Sequence, residues 1–180
     1  NLTQSGSLTT TGRLTAGESV AIGTGFDGAE TEDVGVWVCG AAATAVILTT
    51  YVIDITNLVS AATDLDIIGE SAAANCHFGQ FTAAVNGTFT AGRVTCLETP
   101  AGGNPDIDFY SATVATGTQD ALVTDLTETA LVTRGASWAN GDVRGFTLAV
   151  PANDYLYIVS GSAAGGTYTA GKFLIEIFGT

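Results

Sequence analysis

Short runs of alternating or β-branched residues recur along this chain at intervals of about ten residues, divided by Gly, Asn, Asp and Pro, and no helical pattern separates them. That punctuation constrains the fold more than any other feature. It predicts about nine or ten strands, the clearest over residues 34–39, 45–54, 64–69, 78–85, 88–97, 107–113, 143–150, 155–160 and 172–178. In the last of these Phe173, Ile175 and Ile177 share one face, and Leu174, Glu176 and Phe178 share the other. Tyr155, Tyr157 and Val159 repeat the same period-2 pattern. Asn86-Gly87 lies between two runs and predicts a two-residue type I′ hairpin, with Asn140-Gly141 a weaker second candidate. Residues 121–133 read equally as a helical turn or a strand, because Leu122, Val123, Leu126, Ala130 and Leu131 fit a helical stripe while the Thr content favours extension. The expected fold is an all-β, two-sheet antiparallel sandwich of the jelly-roll type. Residues 13–180 are expected to form one domain, preceded by an N-terminal arm over residues 1–12 that orders on docking.

Composition narrows the function. Eighteen acidic residues against five basic ones give a formal charge of −13, which disfavours nucleic acid and anionic membranes as partners. Charged residues make up only 13%, about half the usual share. The surface must therefore be covered by Thr, Ser, Ala and Gly, as suits a β-protein or one whose exterior is largely occupied by neighbours. The longest apolar stretch, residues 41–59, is broken by Thr49, Thr50, Asp54 and Asn57, so a soluble protein is expected. There is no Met, and Asn1 opens directly into a Ser, Thr and Gly-rich run, so a processed chain is expected.

The motifs that carry chemistry elsewhere fall short here. Gly166 to Lys172 spells GxxxxGK, but Phe173 stands where a phosphate loop needs Ser or Thr, and an apolar strand follows where a helix is required. Gly135-Ala136-Ser137 begins a nucleophile elbow that ends at Ala139 instead of Gly, and His77 is the only histidine base available. Cys76 and His77 are adjacent, so in a strand they point to opposite faces. Cys39, Cys76 and Cys96 lack the paired spacing of a zinc knuckle and read as buried thiols in a reduced, cytosolically assembled protein. If the Asn86-Gly87 hairpin carries one bulge near Gly92, Cys76 comes opposite Cys96 and a disulfide becomes conceivable.

Asp64/Asp66 and Asp106/Asp108 each place two carboxylates on one strand face. Such pairs suit calcium binding or glycoside hydrolysis, yet solvent-facing neighbours are the commoner explanation, and only Trp37 and Trp138 are present to build a sugar cleft. Sequons at Asn1 and Asn86 matter only in a glycosylating compartment. No catalytic residue, cofactor, metal or small-molecule substrate is expected. Arg13, Arg93, Arg134, Arg144 and Lys172 are expected where acidic neighbours or intersubunit contacts need them.

Two stretches carry a resemblance. Asp33-Val34-Gly35-Val36-Trp37-Val38-Cys39, an Ala-rich run, a long strand to Asp54 and then Ala62-Thr63-Asp64-Leu65-Asp66 form the first. The second joins Asp154-Tyr155-Leu156-Tyr157-Ile158-Val159 to the close from Gly165 to Gly179, where Thr169-Ala170-Gly171-Lys172-Phe173-Leu174-Ile175-Glu176 stands out. Together they cover about a third of the chain and resemble the jelly-roll capsid decoration, or cement, proteins of tailed bacteriophages, especially marine ones. The resemblance implies a non-enzymatic protein on the outside of an icosahedral head, commonly a homotrimer, that contacts the major capsid protein and strengthens joints between capsomers after assembly in the host cytoplasm. Two other classes share the sandwich: an exported cell-surface filament subunit using strand complementation, and a tail-associated receptor or carbohydrate-binding module that stacks sugars on Trp37, Trp138 or tyrosines.

Overall fold

The computed structural model describes residues 12–13, 24–26, 31–39 and 45–180, with the side chains of 12, 13, 31–35 and 39 outside the description. The expected arm over residues 1–12 lies outside the described residues except for its last position. The structure is all-β: two antiparallel sheets face each other across one apolar core.

The larger sheet has six strands in the order β1 (Gly12–Arg13), β2 (Thr31–Cys39), β3 (Val46–Asp54), β12 (Ala170–Gly179), β6 (Phe89–Ala101) and β9 (Val143–Gly145). The smaller has four: β5 (Gly79–Gln80), β10 (Tyr155–Ser160), β7 (Ile107–Ala112) and β8 (Glu128–Val132). Two-residue strands β4 (Val59–Ser60) and β11 (Gly166–Thr167) pair with each other to one side. Set β1, β2, β4 and β11 aside and eight strands remain. In chain order they run first, eighth, third, sixth across one sheet and second, seventh, fourth, fifth across the other, which is jelly-roll connectivity.

The inward faces follow from period 2. Tyr51 and Ile53 of β3, Phe173, Ile175 and Ile177 of β12, and Val94 and Cys96 of β6 meet Ile107 and Phe109 of β7 and Leu156 and Ile158 of β10, all fully or almost fully buried. Phe109, Trp138 and Phe173 meet edge to face with centroids 5.4 to 6.1 Å apart.

Four expectations are corrected. The Asn86-Gly87 hairpin does not form: residues 78–85 give only β5 and then a helical turn, α1 (Ala83–Asn86). Thr82 caps this turn, its Oγ1 accepting from Val85 N at 3.3 Å while Asn86 Oδ1 accepts from Thr82 N at 2.7 Å. These reciprocal bonds, with Asn86 Nδ2 donating to Thr49 Oγ1 at 2.8 Å, satisfy the local polar groups in a helical geometry that a type I′ turn cannot offer. Asn140-Gly141 is a turn leading into β9, with Gly141 N donating to Cys96 O, and joins no hairpin.

Residues 64–69 form isolated bridges instead of a strand, Ile67 to Val159 of β10, Asp66 to Leu122 and Gly69 to Val59 of β4, with Leu65 at a left-handed φ of 65°. The run expected over 143–150 stops at Gly145. Phe146 N then donates to Gly92 O in the larger sheet and Thr147 N to Leu131 O in the smaller, so the chain crosses between sheets there. The ambiguous segment 121–133 is both readings in turn, a 3-10 turn over Val123–Leu126 and then β8, broken at Thr127 with φ 59°.

Candidate protein-binding face

The outward faces of the two sheets are built differently. On the smaller sheet, β7 is buried along its whole length and β10 almost so, because residues 113–127 fold back over them. Tyr157 is the anchor: its hydroxyl donates to Val114 O at 2.6 Å and accepts from Gly117 N at 3.2 Å. Gly117 lies so close that an added Cβ would sit 2.7 Å from Tyr157 Cε1 and 2.8 Å from Ile67 Cδ1. His77 closes the same layer, its ring tilted against Tyr155 with centroids 4.8 Å apart and edge-on to Tyr157 at 6.2 Å.

The larger sheet has no such cover among the described residues. Its cross-strand registers place Trp37, Leu48, Phe178 and Ala91 in one row, and Val52, Leu174, Thr95 and Val143 in another. Between them runs Thr50, Glu176, Arg93 and Gly145. Trp37 is 53% exposed and Val143 48%, while Leu48, Val52, Leu174 and Phe178 are half-buried and none of these belongs to the core. Arg93 clasps Glu176 through two hydrogen bonds, Nη2 to Oε1 at 3.0 Å and Nε to Oε2. That contact raises the already high Arg93 pKa. Lys172 Nζ lies 3.4 Å from Asp54 Oδ2 at the rim, where the Thr56 and Lys172 interactions outweigh burial and hold the Asp54 carboxyl below the usual range. Among the described side chains the result is a mostly apolar face on which Glu176 is paired with Arg93 and Asp54 with Lys172.

The basic residues match their expected places where the side chains are described: Arg93 and Lys172 as above, Arg134 on Asp142 at 2.9 Å, and Arg144 beside Asp142, which its charge helps to hold low. Arg13 lies in β1, its side chain outside the description.

The residues weighed for chemistry are dispersed. The GxxxxGK run opens β12, so Lys172 faces Asp54 from a strand. Cys76 and Cys96 are both free and buried, which corrects the conceivable disulfide: without the hairpin, Cys76 sits against Gly25 and Gly69, while Cys96 opposes Phe173 in the sheet. Burial pushes both thiols up to about 11, the unreactive direction. Cys39 ends β2, its side chain outside the description. Burial lowers His77 to about 4, so it is neutral at ordinary pH. Ser137 lies in the loop before Trp138, apart from His77 in the covered layer.

The acidic pairs are not solvent-facing neighbours. Asp64 is exposed but Asp66 is buried, its carboxylate accepting from Thr63 N at 3.0 Å. Asp106 and Asp108 are both buried and flank Gly161, where an added Cβ would lie 2.8 Å from Asp106 Oδ1 and 3.1 Å from Asp108 Oδ1. Burial raises both, Asp108 to about 6, although Arg134 N donates to Asp108 Oδ1 at 2.6 Å. Among the described residues no group of three or more His, Cys, Asp or Glu is arranged to hold a metal ion.

Trp138 is buried with its indole donating to Ile107 O at 2.7 Å, so it cannot serve as a sugar platform, whereas Trp37 stays open. The Asn86 sequon is buried and hydrogen-bonded, out of reach of a glycosylating enzyme. No described helix is long and apolar enough to cross a membrane.

Sequence reasoning named Trp37 but missed the rows that surround it. The usable signal was β12, whose second face, Leu174-Glu176-Phe178, is nearly as apolar as its first. A strand apolar on both sides is built to be covered on both. Comparison with protein-family models, curated proteins and solved structures finds no match for this chain.

Proposed function

We propose that the protein is a virion structural component, a capsid decoration or cement protein that binds the outside of an icosahedral bacteriophage head and stabilises capsomer joints through protein contacts alone. The observation that carries this reading is the open, apolar, charge-paired outer face of the larger sheet, on a jelly roll whose other outer face is sealed by its own chain. Such a face is a cost to an isolated protein and an asset to one assembled among neighbours. The partners are the major capsid protein and further copies of the chain, as homotrimers in the form the resemblance implies. Many modest contacts then add through symmetry. The protein is made and assembled in the host cytoplasm, in keeping with its free, buried thiols. Gold-labelled antibody against the protein, applied to the native particle fraction and viewed by electron microscopy, tests the reading. Label spread over head exteriors is the expected result; label confined to tails or to cell-surface filaments overturns it.

A further inference from the structure

We infer that the outer face of the larger sheet pairs with the same face of a second copy, about a two-fold axis that runs parallel to the strands between β12 and β6. The inference rests on the proposal that this face is a protein contact, and adds the identity of the occupant. Three observations select a second copy.

The first is charge. A chain of formal charge −13 repels its own kind, and the repulsion is least where carboxylates are already neutralised. On this face Glu176 is clasped by Arg93 and Asp54 by Lys172. The two-fold axis described sets β12 of one copy over β6 of the other. Glu176 of each then faces the second copy's Arg93, and two in-plane ion pairs stack with opposite polarity. Any other partner would have to supply that pattern; a second copy supplies it by symmetry.

The second is shape. The same operation lays Phe178 over the second copy's Ala91 and Leu174 over the second copy's Thr95, because these residues are cross-strand neighbours in β12 and β6. Each large side chain meets a smaller one. Val52 of β3 falls over the second copy's Val143 of β9, so the row through Leu174 continues to the sheet edge.

The third is area. The axis opposes four strands, β12 over β6 and β3 over β9, and at about 4.8 Å spacing with about eight residues at roughly 3.4 Å rise these give a face of at most roughly 19 by 27 Å, hence up to about 1,000 Å² over both copies, at the lower bound of a specific interface.

Sedimentation equilibrium of the full chain from about 0.1 to 100 μM brackets the micromolar and tighter affinities open to such an interface. Two-fold pairs, or even-numbered assemblies built from them such as two of the proposed trimers joined face to face, are expected; a lone trimer overturns the inference and leaves the proposed function standing. Leu174→Arg should weaken pairing by about 100-fold or more, as at a buried hot spot, with the melting temperature shifted by only a few degrees because Leu174 lies outside the core. Thr95→Lys supplies the same test at a position that is less apolar to begin with.

Charge reversal is the sharper arm. Arg93→Glu should abolish pairing, and the Arg93→Glu/Glu176→Arg double variant should restore it, because the swapped pair again faces itself across the axis. A wild-type chain that stays monomeric at the highest concentration, or association indifferent to both Leu174→Arg and Thr95→Lys, overturns the inference. A monomer that still decorates heads removes the two-fold contact and leaves the proposed function standing. A pair that is never found on heads does the reverse.

Discussion

The two sheets of this sandwich present equivalent inward faces and opposite outward ones. The smaller sheet is wrapped by its own chain, with Tyr157 tying residues 113–127 down through Val114 and Gly117. The larger leaves Trp37, Leu48, Val52, Leu174 and Phe178 open or half-open around the clasped Arg93–Glu176 pair, with Lys172–Asp54 at the rim. Both surfaces are apolar by composition, so the hydrophobic effect alone does not distinguish them. Connectivity does. The link between β7 and β8 is long enough to return over its own sheet, whereas the long strands β3, β6 and β12 occupy the larger sheet and none of them returns across its outside. The difference teaches that one outward face contributes to the folding of a single chain, while the other gets no such cover from the described residues.

Matched truncations break or sharpen that comparison most strongly. Tyr157→Ala on the covered face should cost about 3–5 kcal/mol in urea unfolding, as for other fully buried aromatics. Phe178→Ala on the open face should cost no more than about 1 kcal/mol, because only part of its surface leaves water on folding of one chain. Equal costs would mean that both faces belong to the folding unit, and the contrast would be lost. Next in size is Gly117→Ala. Its new methyl must fit within 2.8 Å of Ile67 Cδ1 and Leu126 Cδ1 and 2.7 Å of Tyr157 Cε1. Lifting the covering segment should cost about 1–3 kcal/mol and increase amide exchange over residues 113–127 while β12 stays protected.

Much of this architecture was legible in the sequence, and the failures share a cause. Strands over 34–39, 45–54, 107–113, 155–160 and 172–178 were found within a residue or a few because period 2 and β-branching are backbone-local signals. The jelly-roll type was legible from strand count and spacing. The hairpin at Asn86-Gly87 was misread because turn chemistry depends on what the flanking polar groups find: Thr82 and Asn86 bond each other and Thr49, a residue 37 positions away from Asn86. The Asp106/Asp108 pair was misread as solvent-facing because burial there comes from a neighbouring connection, with Gly161 beside both carboxylates. The open face was half legible, in the doubly apolar β12. Its rows needed the sheet order, which brings β2, β3, β12, β6 and β9 together from across the chain.

A smaller, pH-dependent effect lies wholly on the covered side. Burial raises Asp108 to about 6, with the Asp106 and Asp64 charges adding to it and the Arg134 amide opposing it. The folded chain therefore binds that proton more tightly than the unfolded chain. Its contribution to stability is present in acid and is lost as pH rises from about 4 through 6. Asp106 and Asp154, also raised chiefly by burial, act in the same direction. His77 acts oppositely: burial lowers it to about 4, so its contribution is present above about 6.5 and is lost as pH falls toward 4. The two slopes offset in one window. Asp108→Asn should make stability rise more steeply with pH between about 4 and 6.5, and His77→Phe, which keeps a ring against Tyr155, should make it fall across the same range. Unfolding midpoints measured through that window decide the matter; unchanged slopes in both variants would place the two groups in solvent instead of buried, His77 against Tyr155 and Asp108 beside Gly161.

The smallest expected effect on folding comes from the most exposed aromatic. Trp37→Ser removes a side chain 53% open to water at the far end of the row that includes Leu48 and Phe178, so stability should change by no more than about 0.5 kcal/mol. Spectroscopically the change is large, because the chain has only two tryptophans and the other, Trp138, is 1% exposed. Emission from wild type should contain a red-shifted, acrylamide-quenchable part from Trp37 and a blue, protected part from Trp138. The serine variant should keep only the second. Quenching then reads the open face without perturbing the fold: if the face is for association, the Trp37 part should lose accessibility as partners cover the sheet, while Trp138 stays protected throughout. A Trp37 signal already protected in isolated monomers would mean that the chain covers this face itself, and the asymmetry between the sheets would disappear.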